Sequence, residues 1–150
     1  METLNFPQFA FKIKEKEGKN LIFDPVRKKF VALTPEEWVR QHVIQYLIHE
    51  KKYPAGLIAV ETAIQFQGML RRCDIVVYRN STPFILVECK APQIVMDQHT
   101  IAQIARYQSV LKVPYLHMTN GHFHLSLNYN KEQKLQVIDD LPAFEHSNGG

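Results

Sequence analysis

Short apolar runs bounded by turn residues fill most of the chain, and only two stretches show helical spacing. Residues 9–14 alternate, and the charged run 15–20 reads as a turn. Residues 21–23 and 29–33 follow as short strands, with Asp24 and Pro25 turning the chain between them. Thr34, Pro35, Glu36 and Glu37 mark a helix start. Thr34 caps, Pro35 fits the first turn, and the acids suit the positive end of the helix dipole. Glu37 completes a capping box with Thr34. The helix runs to about His49 and buries Val39, Val43, Ile44, Leu47 and Ile48.

Residues 57–60 and 63–66 make a strand, and Gln67-Gly68 turns it into the next one. Residues 75–78 and 84–87 are apolar and β-branched or aromatic, with turn material at 79–83, so they form a hairpin. Ala91-Pro92 then breaks the sheet. Residues 97–111 predict a second helix with Ile101, Ile104, Ala105 and Val110 on its apolar side. Residues 113–118 are a strand, Asn120-Gly121 a tight hairpin turn that finishes one edge, and 122–127 the return. Residues 135–138 add a strand before an irregular tail, loose from His146 to Gly150. This order predicts an α/β fold, a central mixed sheet with a helix on each face.

At 150 residues the chain reads as one domain. A β extension (1–33) precedes a core (34–128), and a strand and tail (129–150) follow. Hydrophobic residues at 45% and charged residues at 22% are ordinary for a globular protein. The net charge of +3 is compatible with nucleic acid without demanding it. Charged residues interrupt every apolar stretch, which excludes a membrane-spanning helix. Two cysteines and no secretory leader point to a reducing cytoplasm. His117, His122 and His124 flank the Asn120 turn, but lack the Cys or acid partner a zinc set would need. Lysines 12, 14, 16 and 19 interleave with Glu15 and Glu17 as a solvated face.

The chemistry concentrates at the open end of the 75–87 hairpin. With its turn centred near Ser81, Asp74 falls opposite Glu88, and alternation puts Lys90 on the Glu88 face. The same register sets Cys73 opposite Cys89 on the other, buried face, where both read as small core thiols. Two carboxylates that close need a cation between them, or one must hold a proton. A hard divalent ion takes such oxygen ligands.

Four segments together resemble the PD-(D/E)xK nuclease superfamily, and more narrowly the N-terminal nuclease domain of type I restriction enzyme R subunits. They are Arg71-Arg72-Cys73-Asp74 with its apolar strand, Glu88-Cys89-Lys90-Ala91-Pro92, Gln103 with Arg106 and Tyr107, and Met118-Thr119-Asn120-Gly121. The likeness covers roughly residues 34–125. Cys73 stands where the superfamily's motif has proline, and no phosphate-binding loop of an ATPase motor is present. The resemblance implies a restriction-endonuclease-like fold and a Mg²⁺-dependent endonuclease acting on DNA, with Mn²⁺ able to substitute. It implies that Asp74, Glu88 and the Cys89 carbonyl bind the metal and that Lys90 orients or deprotonates the attacking water. Glu37 is the expected helix ligand, with Glu36 nearly as good. Glu61 is expected in or near the site. Gln103 and Tyr107, one turn apart on one helical face, would support the site and the DNA backbone. Arg71, Arg72 and Arg106 would grip phosphates. A homodimer, or motor and specificity subunits in trans, would supply further partners. The competing readings are an accessory domain that binds nucleic acid without cutting, and a plain partner-docking domain.

Overall fold

The computed structural model describes residues 1–146. Residues 147–150 of the expected loose tail lie outside the described residues.

Strands β1 (Ile13–Lys16), β2 (Lys19–Asp24) and β3 (Lys29–Ala32) form an antiparallel sheet of their own. The β1–β2 turn is only Glu17 and Gly18, with φ 52° and 77°. The strands therefore run into the charged stretch assigned to the turn. All of β1 is exposed, so charged residues cost nothing there, and the Lys14 ammonium sits 4.1 Å from the Phe30 ring centre. The β2–β3 turn is built round Asp24, whose Oδ1 accepts from the amides of Val26 (2.7 Å) and Arg27 (2.9 Å).

Helix α1 (Pro35–Gln45) starts where the caps predict, with the Glu37 amide donating to Thr34 Oγ1 at 3.0 Å. Only this half of the capping box forms. The Thr34 amide donates to Ala32, and the Glu37 carboxylate accepts from two arginines and Gln41 instead. A π-helical turn, Tyr46–Glu50, carries the helix one residue past the expected end. Val39, Val43, Ile44 and Leu47 are buried and Ile48 partly so.

Six strands make the main sheet, in chain order from edge to edge: β4 (Ile58–Phe66), β5 (Met69–Arg79), β6 (Thr82–Cys89), β7 (Tyr115–Thr119), β8 (His124–Tyr129) and β9 (Leu135–Ile138). Strands β6 and β7 run parallel, joined through helix α2 (Gln98–Ser109), and the other neighbours are antiparallel. The mixed sheet is therefore as expected. The far edge is β9 and not the hairpin at Asn120. That hairpin's loop holds four residues, 120–123, between paired Thr119 and His124. Asn120 Oδ1 accepts from the His122 and Phe123 amides, so the side chain builds the turn. The β5–β6 turn is tighter than expected, because only Asn80 and Ser81 (φ 51° and 61°) separate paired Arg79 and Thr82.

Residues of α1 cluster with Ile75, Val77, Ile85, Val87 and Cys89. Ile104 of α2 clusters with Cys73, Val76, Leu86, Leu116 and Met118. Cys73 and Cys89 thus fall in different clusters, both as free thiols, and do not share one buried face. The cause is a single break in the β4–β5 ladder. Val60 pairs with Ile75 and Thr62 with Cys73, but Glu61 and Asp74 between them do not pair. Glu61 has φ 49°, a left-handed conformation that costs a non-glycine residue about 1 kcal/mol or more. On one side of the break Ile58 and Val60 pack with α1, and on the other Ile64 and Phe66 pack with α2. Among the described residues no helix is long and apolar enough to cross a membrane.

The N-terminal arm packs against α1 and the Asn120–Phe123 loop. Leu4 is buried, and the Asn5 amide donates to the Gly121 carbonyl at 2.8 Å. Gly121 has φ 93°, and a Cβ there would sit 2.9 Å from Leu4 Cδ2 and 3.2 Å from Val39 Cγ2. Gly121→Ala is expected to lower stability by about 1–3 kcal/mol, through a strained φ and overpacking. Urea unfolding should then show a lower midpoint at an unchanged slope. An unchanged midpoint would mean that Leu4 moves aside freely.

Candidate active site

The β5–β6 register pairs Ile75 with Val87, Val76 with Leu86 and Val77 with Ile85. Its continuation sets Asp74 opposite Glu88, as the sequence predicts, but the pairing stops at Ile75. Beyond that point the Cys89 amide donates to the Asp74 side chain, Oδ2, at 2.6 Å. Strand β6 continues beside β7, with Glu88 against Met118 and Cys89 against Thr119. The Lys90 amide donates to the Thr119 carbonyl at 2.8 Å. So β5 and β6 part at Asp74, and their charged ends meet at the gap. Lys90 Nζ lies 3.7 Å from Glu88 Oε1.

One side of this gap is a cleft of about 280 Å³ shared by Glu88, Lys90 and the α2 residues Thr100, Gln103, Tyr107 and Gln108. Gln103 and Tyr107 therefore reach the same cleft as Glu88 and Lys90. Gln108 is a functional candidate that the sequence reading passed over. It is buried, and its Nε2 donates to Glu88 Oε2 at 3.4 Å. Its signal was a polar residue one turn after Ile104, on the stripe that α2 buries.

The other side holds a buried ionic network. Arg40 Nη2 contacts Asp74 Oδ1 at 3.1 Å and Glu36 Oε1 at 3.3 Å, while Nη1 contacts Glu37 Oε1 at 2.7 Å and Glu61 Oε1 at 3.2 Å. Arg27 reaches both Glu37 oxygens at 2.9 Å, Asp24 Oδ2 at 2.6 Å and Glu61 Oε2 at 3.3 Å. Gln41 Nε2 joins Asp24 Oδ2 (3.0 Å) to Glu37 Oε2 (3.1 Å). Counting Glu88 and Lys90, six carboxylates meet three cations, so negative charge is in excess. The sequence reading named Glu36, Glu37, Glu61 and Asp74 here but missed Asp24, Arg27, Arg40 and Gln41. Arg40 did carry a signal. It follows Glu36 by four residues and Glu37 by three, beside the buried stripe of α1.

The charge excess shows in the proton affinities. Burial first, then the Asp74 charge, pushes the Glu88 carboxyl up to about 7, against Lys90 and Gln108. Burial and Asp74 likewise raise Glu36. Burial also opposes the charge on Asp24, but the Arg27 amide and guanidinium, Gln41 and the Val26 amide hold its carboxyl below the usual value. Burial works against Arg40 as well, yet Glu37 and Asp74 keep it firmly protonated. Burial pushes the Cys73 thiol to about 12 and raises Cys89 too, which fits inert core thiols. Among the described residues no three His, Cys, Asp or Glu side chains form a metal-ligand cluster. Glu37 is taken up by Arg27, Arg40 and Gln41, and Asp74 by Arg40 and the Cys89 amide.

The remaining basic candidates divide. Arg71 stacks its guanidinium 4.3 Å from the Tyr107 ring centre and donates to the Tyr107 carbonyl at 3.3 Å, so it braces α2. Arg72 and Arg106 are exposed. The histidines do not converge on an ion. His117 Nδ1 pairs with Ser126 Oγ, and His124 with Thr119 Oγ1 and the Asn5 carbonyl.

Comparison with curated proteins and with solved structures gives no match. A sequence profile of the type I restriction enzyme R protein N terminus matches residues 35–142, well over half of the chain. The matched segment runs from the first residue of α1 past β9 and contains Glu36, Glu37, Arg40, Asp74, Glu88, Lys90 and all of α2. The chain therefore belongs to the family of type I restriction enzyme R protein N termini.

Proposed function

We propose that this chain is a Mg²⁺-dependent endonuclease domain that hydrolyses DNA phosphodiesters in the cytoplasm. Its fold would be of the restriction-endonuclease-like, PD-(D/E)xK kind, with a helix against each face of the mixed sheet. One observation carries the reading. Asp74, Glu88 and Lys90 are gathered at the single place where β5 and β6 separate, beside an open cleft.

The donor chemistry fits a hard divalent cation. Asp74 and Glu88 would hold it with carboxylate oxygens, aided by the Cys89 carbonyl. Burial and the neighbouring Asp74 charge push Glu88 to about 7 even with Lys90 beside it, so a cation between the two carboxylates would be favoured. The buried Gln108 Oε1 in the same cleft has no hydrogen-bond partner. Glu37 fits less well, since its two oxygens already accept four hydrogen bonds. Glu36 and Glu61, with side chains 46% and 50% exposed, are better placed to reach the ion from solvent. When bound, Mg²⁺ would acidify a water and neutralise the scissile phosphate.

The protein's own groups would do the rest. Lys90 brings a cation beside Glu88, where it can orient the attacking water and stabilise charge growing on the phosphate. Gln103 and Tyr107 line the cleft and would position the strand, with Arg72 and Arg106 contacting phosphates from the surface. Cutting both strands needs two such sites, supplied by a second copy or by motor and specificity subunits in trans. A second reading, a DNA-binding domain that no longer cuts, draws support from Arg40, whose guanidinium already stands against Asp74. Calorimetry separates the two, because the non-cutting domain need not bind Mg²⁺ or Mn²⁺.

Asp74→Ala and Lys90→Ala should each reduce Mg²⁺-dependent DNA cleavage by at least about a hundredfold while circular dichroism shows the fold retained. Cleavage that persists in both variants would end the assignment. A pH experiment tests the carboxylate pair without DNA. Because burial and Asp74 push the folded Glu88 carboxyl up to about 7 against 4.5 when unperturbed, its contribution to metal-free stability is fully present below about 4.5 and is lost as pH rises through 7. Glu88→Gln lacks this loss. In chelator it should exceed the wild type by about 1–3 kcal/mol at pH 8 and match it at pH 4. Equal stability at pH 8 would mean that neither burial nor the Asp74 charge penalises an ionised Glu88.

A further inference from the structure

The carboxylate that opens the site is tied to the N-terminal sheet by charges of alternating sign. Asp24, Arg27, Glu37, Arg40 and Asp74 follow one another at 2.6, 2.9, 2.7 and 3.1 Å. The first two residues precede the family-matched segment, which begins at residue 35. Asp24 has no solvent exposure at all, and the Arg27, Glu37 and Arg40 side chains are 16%, 7% and 6% exposed. Burying such a chain of charges gains little stability over apolar residues of the same size. What it does supply is direction. Asp24 grips Arg27 at both backbone and side chain, so the guanidinium has one orientation. Arg27 Nη2 lies 2.9 Å from both Glu37 oxygens while its Nε stays on Asp24, so one guanidinium ties the two carboxylates together. Glu37 then holds Arg40 Nη1, which leaves Nη2 for Asp74 Oδ1. The Cys89 amide on Oδ2 completes the clamp.

We propose that Arg27, supplied by the turn after β2, is a positioning residue of the Asp74–Glu88 site. It acts through Glu37 and Arg40 and fixes the Asp74 carboxylate for metal binding. This rests on the metal-dependent nuclease reading. Without Arg27, Glu37 keeps Arg40 and Gln41 but loses the cation that touches both of its oxygens. Arg40 is then free to swing toward Glu37, Glu36 or Glu61, all within its present reach, and Asp74 loses its fixed partner.

The test compares wild type, Arg27→Met and Arg27→Lys, each at a temperature where circular dichroism shows it fully folded. Arg27→Met should bind Mn²⁺ on the order of 10–100-fold more weakly by calorimetry and lose kcat by a similar factor, with KM for DNA unchanged. Arg27→Lys, which keeps the charge but has one nitrogen where the guanidinium uses separate nitrogens for Asp24 and Glu37, should recover only part of both. Where Arg27→Met alone does not fold, Arg27→Met with Glu37→Gln removes one charge of each sign and should show the same deficit. A folded Arg27→Met, or that double variant, with wild-type Mn²⁺ affinity and kcat would overturn the proposal. A wild type that neither binds Mn²⁺ nor cuts would instead overturn the nuclease reading and the proposal with it.

Discussion

Arg40 carries a full positive charge to a place where 6% of its side chain meets solvent. Burying an unpaired ion there would cost several kcal/mol. Four carboxylates, Glu36, Glu37, Glu61 and Asp74, take up its two terminal nitrogens and remove that cost. The compensation is not exact, since Arg40 Nε is buried without a partner. Three elements are joined at this guanidinium: α1, which carries it, and β4 and β5, which bring Glu61 and Asp74. Any displacement of one of them would separate charges in a medium of low dielectric, where a change of distance matters far more than in water. The arginine therefore fixes how the helix sits on the sheet, even if its net contribution to stability is small.

The broken ladder at Glu61 and Asp74 follows from the same constraint. A regular β4–β5 pair would spend both residues on backbone pairing and point them into or away from the sheet at will of the alternation. The left-handed backbone at Glu61 releases both side chains toward Arg40. That strain is local, and it swivels the outer half of the β4–β5 pair onto α2 while the inner half stays on α1. One break thus serves two purposes. It frees Asp74 from pairing, and it lets a single sheet feed two apolar clusters. Strain concentrated where charged groups converge is the usual mark of a working site. The Glu88 carboxyl, lifted to about 7, adds a second cost at the same spot.

Much of this was legible in the sequence for physical reasons that act over short range. Thr34 and Pro35 marked the start of α1 because capping depends on residues three positions apart. The hairpin symmetry about Ser81 set Asp74 opposite Glu88 because side-chain alternation leaves few registers open. Gln103 and Tyr107 fell on one face because helical spacing dictates it. What failed depended on partners distant in the chain. Glu37 looks like a capping-box acid from its neighbours alone, but Arg27, ten residues earlier, draws it away together with Arg40 and Gln41. Cys73 and Cys89 were set on one face because nothing in the residues around Glu61 announces a left-handed backbone. Asn120-Gly121 reads as a two-residue turn until the Asn120 side chain is seen to hold Phe123 and Ile94.

The two sides of Asp74 are built on different principles. Toward α2 the cleft is open, with Lys90 37% exposed and polar side chains that keep unused hydrogen-bonding capacity. Toward α1 charged side chains hold one another, with Glu37 and Arg40 buried and Glu36 and Glu61 about half exposed. The open side cannot hold Asp74 rigidly, because solvent competes for every contact there. On the α1 side the largely buried Arg40 guanidinium holds Asp74 Oδ1 at 3.1 Å. Glu88 belongs to the open side, where Gln108 and Lys90 contact it, and Asp74 to the α1 side. The Asp74–Glu88 pair therefore spans the boundary between a compliant wall and a stiff one. That boundary is the line along which β5 and β6 come apart, so the position of the pair follows from where the sheet's own hydrogen bonding ends.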